Sequence, residues 1–504
     1  MLLMRLRDLA EDVVGAKVEA GGDFEVGGVT ADSRQAAAGD LFVAVPGQTV
    51  DGHRFAGEAA GRGAAVALMR PVELPAGTPV LMLGDTRLGL AELAAAFHGR
   101  PGRHLGVAGV TGTDGKTTVA HLASWILSSA GRPSGALSTV ELSAGPGAAE
   151  PNLSGQTTME APAVQAWLAR MLASGATHAV VEVTSHALVQ HRVDACEFDV
   201  AAYTNVGRDH LDYHGSWDDY LEAKATLLHL CSAAAGKGVP KTAVLNRDDA
   251  SYERLSRVPI ERRWTYSIEG EADLRAANLR LDPAATCSTF YIGAESAEVN
   301  LPLPARFNVA NALCAAGIAL AFGLTLEEVA HGLATFPGLS GRLERVELGQ
   351  PFDVLIDFAH AAGALRATLA ELRPHVAGRL LLVFGSTGRA DHDRAGMGRA
   401  AAEGADWFVI TTDDPVGEDP ARIAADVAAG AEAREPGRDY EVELDRRAAI
   451  RRAMSLARPG DLVLLAGKGH ERSMITATGS QPWNERSEAE AALRELGYDS
   501  PPAR

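Results

Sequence analysis

Apolar runs that give way to polar and glycine residues recur along the chain, and they predict an α/β protein. The clearest set lies in the last third, at VLIDFAH, RLLLVFGSTG, DWFVITTDDP and DLVLLAGKGHE, where strand-like and helix-like patterns alternate. Parallel sheets have buried, apolar strands and bind ligands beyond the carboxyl ends of those strands. We therefore expect a parallel sheet here, with its polar side chains gathered at one edge.

Breaks in this pattern divide the chain into three α/β domains, which we place at residues 1–104, 105–337 and 338–504. The first contains the short strands DLFVAV and AAVALM and closes with the helix LGLAELAAAFHG. Pro337, Gly338 and Gly341 interrupt the pattern at the end of the second domain. A chain of 504 residues with 46% hydrophobic residues is long and apolar enough for about three separate cores.

The segment from Gly106 to Leu127 joins an apolar run, a glycine-rich turn and a helix, and it predicts a phosphate-binding loop. Glycines let backbone N–H groups surround an anion, the helix presents its positive N-terminus, and Lys116 adds a full charge. Thr117 could place its hydroxyl on a magnesium ion. Val110 stands where the usual P-loop has a glycine, so an ordinary glycine-rich turn is the alternative.

Further candidates for chemistry follow the next two strands of the middle domain. Glu182 lies near the carboxyl end of THAVVEV, and His210 follows the strand in FDVAAYTNV, before a helix that begins near Ser216. Within that helix Lys224 falls on the apolar face, where a lysine must be neutral, paired or modified. Carbon dioxide would convert a neutral amine into a carbamate able to hold magnesium, whereas the alternative is a lysine that buries only its stem.

Composition narrows the class of protein. Asp and Glu number 65 against 47 Lys and Arg, a net charge of -18 that argues against nucleic-acid binding. Acidic residues in MLLMRLRDLAEDVV and the lack of a long apolar run argue against a secretory signal or membrane insertion, so we expect a cytoplasmic protein. The four cysteines lack paired spacing and predict buried, reduced thiols.

The order of the motifs GTDGKTT, TTMEAP, EVTSHALVQHR, TNVGRDHLDYHGSWDDYLEAK, ARFNVANALCA, GRLE, DFAH, TTDDP and AGKGHE resembles that of the Mur ligases of peptidoglycan synthesis. The resemblance begins at TADSRQAAAGDLFVAVPG and spans nearly the whole chain. It implies an N-terminal UDP-binding domain, a central P-loop-like ATPase domain and a C-terminal Rossmann-like domain. It also implies an ATP- and Mg²⁺-dependent ligase that adds the third residue to UDP-MurNAc-L-Ala-D-Glu through an acyl phosphate.

The resemblance assigns roles to individual residues. ATP contacts are expected from Gly112, Thr113, Asp114, Gly115, Lys116, Thr117, Thr118, Asn308, Asn311, Arg342 and Asp357. Contacts to the UDP-linked substrate are expected from Ser33, Arg34, Thr157, Thr158, Ser185, Gln190 and Arg192. Magnesium ligands would be Thr117, Glu182, His210 and carbamylated Lys224, and the catalytic residues Lys116, Glu182, His210 and Lys224. Without the resemblance, Ser33 and Thr157 are better explained as turn residues than as substrate contacts. A helix cap explains Asn308 about as well as a nucleotide contact does.

The incoming amine is the harder question. The resemblance places its contacts at Arg389, Asp413, Asp414, Gly467 and Glu471. Family members that take meso-diaminopimelate usually carry DNPR, whose arginine pairs with the distal carboxylate, whereas this chain reads DDPV and ends on Val416. Asp414 and Glu471 could instead attract a terminal ammonium. We therefore predict that L-lysine or L-ornithine is added, with meso-diaminopimelate as the alternative.

Two other functions are compatible with part of the pattern. A related ligase such as folylpolyglutamate synthase would share the loop, Glu182, His210 and the helix lysine, but not ADSR or HALVQHR. A nucleotide-dependent switch that has lost ligation would need a defect among metal ligands that are all present. We expect a monomer whose domains close on their substrates before chemistry, because ATP contacts come from both the second and the third domain.

Overall fold

The computed structural model describes residues 3–47, 50–147, 149–282, 285–388 and 393–499. The chain forms two compact units. The first comprises Met1–Ala276, Phe290–Ala297 and Ala310–Gly332, and the second comprises Ala277–Thr289, Glu298–Val309 and Leu333–Arg504. Alternating strands and helices in both units confirm the α/β class, while the three predicted domain boundaries stay predictions.

The first hundred residues build a five-stranded sheet flanked by short helices. The elements are β1 (Met4–Arg5), α1 (Leu6–Glu11), β2 (Lys17–Ala20), β3 (Glu25–Val26), β4 (Gly28–Thr30), β5 (Asp40–Val43), α2 (Ala56–Gly61), β6 (Ala65–Leu68), β7 (Val80–Met82) and α3 (Thr86–Phe97), with a 3-10 turn at Gly52–Phe55. The sheet order is β2-β7-β6-β5-β4, parallel except for β2. Helix α3 begins where the Asp85 carboxylate accepts the N–H groups of Arg87 and Leu88, and its apolar face packs into the core under the sheet.

A larger sheet follows in the middle of the chain. Its elements are β8 (Gly106–Thr111), α4 (Lys116–Ser129), β9 (Ser134–Leu137), β10 (Glu141–Ser143), β11 (Ala149–Pro151), α5 (Ala161–Ala173), β12 (His178–Glu182), α6 (Ser185–Val189), β13 (Val200–Tyr203), α7 (Leu211–His214), α8 (Trp217–Ala233), β14 (Thr242–Asn246), α9 (Tyr252–Leu255) and β15 (Arg262–Ser267), with 3-10 turns at Pro101–Arg103 and Asp194–Cys196. Strands β9-β12-β8-β13-β14-β15 are parallel neighbours in that order, and β10 and β11 extend the sheet antiparallel beyond β9. The loops after β8, β9, β12 and β13 therefore meet at one edge of the sheet.

The chain then passes between the two units. This part contains β16 (Leu274–Leu281), β17 (Thr286–Ile292), β18 (Glu295–Leu301), α10 (Arg306–Ala321) and α11 (Leu326–Ala334). Helix α10 combines an apolar sequence with two buried asparagines, Asn308 and Asn311. Buried amide side chains need hydrogen-bond partners, so specific polar contacts must hold these two asparagines in place within the apolar helix.

The last segment forms the predicted parallel sheet. Its elements are β19 (Glu344–Arg345), β20 (Asp353–Asp357), α12 (Ala362–Leu372), β21 (Leu380–Phe384), α13 (Arg394–Gly404), β22 (Trp407–Ile410), α14 (Pro420–Ala428), β23 (Tyr440–Val442), α15 (Arg446–Leu456), β24 (Leu462–Ala466), β25 (Ser473–Thr476), β26 (Gly479–Pro482) and α16 (Glu485–Glu495), with a 3-10 turn at Arg373–His375. The order is β19-β20-β24-β21-β22-β23, and all pairs but β19–β20 are parallel. Alternate strand residues enter two separate apolar clusters, one on each face, which explains the continuous apolar runs.

Two expectations from composition can be compared with the structure. All four cysteines are free, and Cys196, Cys231 and Cys314 are buried as predicted. The prediction is wrong for Cys287, which is only half-buried on the partly exposed strand β17. Among the described helices, none combines the length and apolar character that a membrane span requires.

Candidate active site

A glycine-rich loop, residues 112–115, joins β8 to α4. Gly112 has φ 150° and Gly115 has φ 83°, values that other residues rarely adopt. A Cβ at Gly115 would lie 2.2 Å from Asn311 Oδ1, and one at Gly112 would lie 1.8 Å from Thr204 Oγ1. Only glycine fits either position, and the amide of Asn311 rests directly against the loop.

The end of β13 fixes the shape of this loop. Thr113 N donates to Asn205 O at 2.7 Å, and Asp114 N donates to Asn205 Oδ1 at 3.1 Å. Thr204 Oγ1 donates to Asp114 O at 2.6 Å. These bonds use the backbone of Asp114 and leave its side chain exposed, so the carboxylate can point away from the predicted phosphate site.

The first turn of α4 carries the predicted phosphate and metal contacts. Lys116 folds back on the loop, and its Nζ donates to Thr113 O at 2.7 Å. Thr117 and Thr118 are both buried. Thr117 Oγ1 donates to Glu182 at 3.0 Å from Oε1 and 3.1 Å from Oε2. The structure thus brings together the predicted metal ligands Thr117 and Glu182.

Glu182 ends β12 and is buried, at 2% exposure. Its carboxylate also accepts hydrogen bonds from Thr139, at 2.8 Å from the backbone N and 3.0 Å from Oγ1. Its hydrogen bonds come from neutral donors, and no basic side chain in the described ranges forms an ion pair with it. A buried carboxylate needs a compensating charge, so these oxygen ligands suit a hard cation such as Mg²⁺.

The sequence interpretation missed Thr139. It follows β9 within LSTVEL, and β9 is the parallel neighbour of β12. The signal was available in principle, since a polar residue at the carboxyl end of a strand next to the Glu182 strand belongs at the same sheet edge.

Lys224 is buried on α8, as its position on the apolar helix face predicts. Its Nζ donates to Gly112 O at 2.7 Å and lies 4.4 Å from the centre of the Tyr220 ring. Burial, reinforced by the charge of Lys116, lowers the pKa of Lys224 well below that of an ordinary lysine. The lowered pKa favours the neutral amine, the form that reacts with carbon dioxide.

His210 belongs to an aromatic cluster beside the loop. It precedes α7, has φ 53°, and its ring centre lies 4.9 Å from that of His186 and 6.3 Å from that of Tyr220. The Tyr220 hydroxyl in turn lies 3.2 Å from Thr113 Oγ1. Among the described contacts, none joins His210 to Glu182 directly, so these two predicted metal ligands are not in contact with each other.

Burial lowers the pKa of two neighbouring imidazoles in this cluster. Burial, together with the charges of His210 and His214, lowers the pKa of His186 to about 4. Burial lowers the pKa of His214 as well, and its Nε2 lies 3.0 Å from Ser185 Oγ. Ser185, a predicted contact for the UDP-linked substrate, is thereby attached to the His210 side of the site.

Most of the predicted contacts for the UDP-linked substrate gather around the end of β12. Thr158 Oγ1 donates to Glu182 O at 2.8 Å, and the hydroxyl oxygens of Thr139 and Thr157 lie 3.1 Å apart, where Thr157 can donate to Thr139. Arg192 donates to Thr158 O at 2.8 Å and to Gln190 Oε1 at 2.7 Å. These hydroxyl, amide and guanidinium groups form one polar surface beside the metal-ligand pair.

Ser33 and Arg34 lie in a turn of the N-terminal sheet. Arg34 makes two hydrogen bonds of 2.9 Å to Asp32, which hold the pKa of that carboxyl at about 2. Ser33 is buried, and its carbonyl accepts from Arg62. In the described part of the chain neither contacts the surface around Arg192, although the nearby Ala31 lines a small pocket with Gln190 and Arg192.

In the second unit, Arg342 and Asp357 are placed by the same turn. Asp357 accepts the N–H groups of Leu343 at 3.0 Å and Ala359 at 3.1 Å, and burial raises its pKa. The Arg342 guanidinium lies 4.9 Å from the centre of the Phe358 ring. Asn308 is the third residue of α10 rather than its cap, and its Nδ2 donates to Pro304 O at 2.7 Å.

Three predicted amine contacts form a carboxylate cluster after β22 and β24. Asp413, Asp414 and Glu471 surround the buried ammonium of Lys468, which donates to Asp414 Oδ1 at 2.7 Å and also to Glu471. The sequence interpretation missed Lys468, because its charge looks solvent-exposed unless the fold of both loops is known. Three carboxylates against one ammonium leave a net negative charge for a cation.

The loops around this cluster are tight. Gly467 has φ 105°, and a Cβ there would lie 2.5 Å from Asp413 Oδ2. Val416 has φ 58°, uncommon for a β-branched residue, and its N–H donates to Ile475 O at 3.0 Å. Arg389 lies outside the described residues.

Comparison with known proteins gives matches along most of the chain. Residues 25–98 match the model described as Mur ligase family, catalytic domain, residues 110–319 match the Mur ligase middle domain, and residues 341–469 match the Mur ligase, glutamate ligase domain. A UDP-N-acetylmuramyl-tripeptide synthetase from Roseiflexus sp. (strain RS-1) is 42% identical, covering 94% of this chain and 96% of the relative.

Two further matches carry the name of a diaminopimelate-adding enzyme. The UDP-N-acetylmuramoyl-L-alanyl-D-glutamate--2,6-diaminopimelate ligase of Thermosynechococcus vestitus (strain NIES-2133 / IAM M-273 / BP-1) is 40% identical, covering 94% of each chain. A solved structure of an enzyme with the same name is 29% identical with a TM-score of 0.70, covering 98% of this chain and 99% of that one.

Proposed function

The chain belongs to the Mur ligase family of ATP-dependent amide ligases, in its tripeptide-synthetase (MurE) branch, and from this premise we propose how its site works and which amine it adds. We propose that it joins L-lysine or L-ornithine to UDP-MurNAc-L-Ala-D-Glu with ATP and Mg²⁺. The observation that carries the proposal is the set of groups around the 112–115 loop. Thr117, Glu182 and Lys224 converge there through hydrogen bonds of 2.7 to 3.1 Å.

The loop and Lys116 would bind the phosphates of ATP. Lys116 gives up its bond to Thr113 O and turns to the γ-phosphate, while backbone N–H groups of the loop and the start of α4 face the other phosphate oxygens. Asn311 lies against Gly115 and keeps the loop open. In the second unit, Asp357 and Arg342 would accept the ribose hydroxyls and contact phosphate, respectively.

The residues present fit magnesium. Thr117, Glu182, His210 and carbamylated Lys224 would hold two magnesium ions, which when bound would neutralise charge on the transferring phosphoryl group. Glu182 supplies the buried negative charge, and Thr139 and Thr117 hold its carboxylate in place. Neutral Lys224 can react with carbon dioxide, losing one proton and forming an N–C bond that leaves a carboxylate beside the loop.

The chemistry then has two steps. The side-chain carboxylate of D-glutamate attacks the γ-phosphorus, the bond to the β-phosphate oxygen breaks, and an acyl phosphate and ADP result. The neutral amine attacks the acyl carbon, loses a proton, and the tetrahedral intermediate expels phosphate to leave the amide. Thr157, Thr158, Ser185, Gln190 and Arg192 would hold the UDP-linked substrate during both steps.

Charge in the second unit supports lysine or ornithine. Asp413, Asp414 and Glu471 exceed the single ammonium of Lys468, so the cluster attracts a distal ammonium but repels the distal carboxylate that diaminopimelate carries beside its own ammonium. Val416 offers no positive charge for the distal carboxylate of diaminopimelate. The relatives that are named diaminopimelate ligases make that amino acid the alternative to be tested.

The reaction can be tested by coupled phosphate release. Phosphate and ADP should appear only when ATP, UDP-MurNAc-L-Ala-D-Glu and an amine are all present, and mass spectrometry should show the substrate heavier by one amino acid less one water. Phosphate release that does not require the UDP-linked substrate would contradict the proposal, and so would ligation to a folate instead.

A further inference from the structure

The second unit contains a buried ion pair that the proposed reaction does not use. Arg446 begins α15 and Glu485 begins α16, and their side chains are 1% and 0% exposed. Arg446 Nη2 donates to Glu485 Oε1 at 2.6 Å, and Nε donates to both carboxylate oxygens at 3.1 Å. Burying two charges is costly, so the pair depends on good geometry and on further hydrogen bonds to its remaining polar atoms.

The remaining hydrogen bonds of Arg446 go to the ends of two strands. Nη2 donates to Ala466 O at 2.8 Å, at the end of β24, and Nη1 donates to Thr412 O at 3.4 Å, just after β22. These strands are not neighbours, because β21 lies between them. The Arg446 guanidinium therefore links the carboxyl ends of β22 and β24 across the intervening strand β21.

The two carbonyls that Arg446 binds stand immediately before the amine site. Asp413 follows Thr412, and Gly467 follows Ala466. Trp483 Nε1 donates to Glu485 Oε2 at 2.7 Å and fixes the carboxylate from the other side. Burial by itself lowers the pKa of the Arg446 guanidinium. The negative charges of Glu485, Asp413 and Glu471 raise this pKa by more, so the net shift is upward.

We propose that Arg446 is a positioning residue that holds the loops 411–416 and 467–472 in register, so that the carboxylate cluster keeps the spacing that an amine requires. The inference rests on the proposed function, which assigns these loops to the incoming amine. The planar fork of arginine can meet Glu485 and two carbonyls at once, whereas lysine has the charge without that geometry.

A matched control exists at the opposite edge of the same sheet. Arg379 donates to Asp461 Oδ2 at 2.7 Å and to Leu456 O at 2.6 Å, next to the amino ends of β21 and β24. Arg379→Lys therefore breaks an arginine–aspartate pair in the same unit without touching the loops. Arg446→Lys and Arg379→Lys should both lower the melting temperature.

The experiment compares these two variants with the wild type by amide hydrogen exchange and steady-state kinetics. In R446K the amides of loops 411–416 and 467–472 should exchange at least about fivefold faster, and the KM for the amine should rise between about 10- and 100-fold while the KM for ATP stays within about twofold. R379K should change neither the loops nor the amine KM. If R446K does not fold, Glu485→Gln should show the same loop opening in milder form.

The possible failures are distinct. Loops that exchange no faster in R446K than in R379K would overturn the positioning role, whichever amine is added. Faster loops with an unchanged amine KM would keep the positioning role and instead contradict the proposed amine site.

Discussion

At the scale of single residues, burial decides the chemistry. Helical periodicity predicts that Lys224 lies on the apolar face of its helix, but it does not distinguish a buried amine from a lysine that buries only its stem. Thr139 and Lys468 could not be found in the same way. Thr139 acts on Glu182 from 43 residues away and Lys468 acts on Asp414 from 54 residues away, and no local pattern records such pairings.

Lys224→Met should abolish ligation while the protein stays folded. The variant keeps the apolar stem but loses the amine, so no carbamate can form, and kcat should fall by at least about 1000-fold. The measurement is phosphate release, with acetate or formate added to test for partial rescue.

Lys241→Met is the control, because Lys241 is equally buried but pairs with Asp199 away from the loop. It should lower the melting temperature more than the activity of the folded fraction. A K224M protein with more than a tenth of wild-type activity would contradict the assigned role.

Charge at position 416 should control the choice of amine. The double variant Asp414→Asn with Val416→Arg restores a cation for a distal carboxylate, so kcat/KM for meso-diaminopimelate should rise at least about tenfold and that for lysine should fall. Arginine is not β-branched and tolerates φ 58° no worse than valine does. Val442→Arg, at an exposed valine on the edge strand β23, is the control and should change neither value.

The pH dependence of amine binding should follow Glu471. Burial raises the pKa of Glu471 above its usual 4.5, so this carboxyl takes up a proton at a higher pH than an exposed glutamate does. As pH falls through the mildly acidic range, the cluster loses negative charge and the KM for an amine with a terminal ammonium should rise. Glu471→Gln should have a higher KM for the amine, and this KM should no longer depend on pH over this range. If the KM of the variant still rises at low pH as in the wild type, another group is responsible.

At the scale of elements, the strands and the loops after them were the most predictable part. The apolar runs around Leu355, Leu382, Val409 and Leu464 form parallel strands of one sheet. Both faces of that sheet are buried, so its strands are continuously apolar and do not alternate between polar and apolar residues. Edge strands such as β19 and β23 contain too few residues to show a hydrophobic pattern, so the sequence does not predict them. The pairing order β20-β24-β21 depends on crossover connections and likewise has no local signal.

The turn between β9 and β10 should act on the proposed metal site through Thr139. Thr139→Val removes the hydroxyl that donates to Glu182 Oε2, so the Mg²⁺ concentration for half-maximal activity should rise about tenfold. Direct Mg²⁺ titration by calorimetry, in the presence of an ATP analogue, should show the same weakening. Thr86→Val is the control, since that buried threonine donates to Ala44 O in the N-terminal sheet, and it should leave Mg²⁺ affinity unchanged.

At the scale of the whole molecule, the predicted site residues fall in both compact units. The loop, Glu182 and Lys224 belong to the first unit, whereas Arg342, Asp357 and the carboxylate cluster belong to the second. The motif order predicts that these residues come from different domains, and the three domain boundaries that it gives stay predictions. It contains no information on the arrangement of the units, because that depends on contacts between surfaces with no periodic signature.

Substrates should therefore make the molecule more compact. Small-angle scattering should show a smaller radius of gyration when an ATP analogue and UDP-MurNAc-L-Ala-D-Glu are both bound. Lys116→Ala, which removes the proposed phosphate contact, should not respond to the analogue. An unchanged radius in the wild type at saturating ligands would show that closure does not precede chemistry.

The central claim is that the carboxylate cluster of the second unit selects an amine whose distal end carries an ammonium and no carboxylate. A competition assay with equal concentrations of L-lysine, L-ornithine and meso-diaminopimelate, read by the mass of the UDP-linked product, tests it most directly. The account predicts that nearly all of the product carries lysine or ornithine. A product that carries mainly diaminopimelate would contradict it.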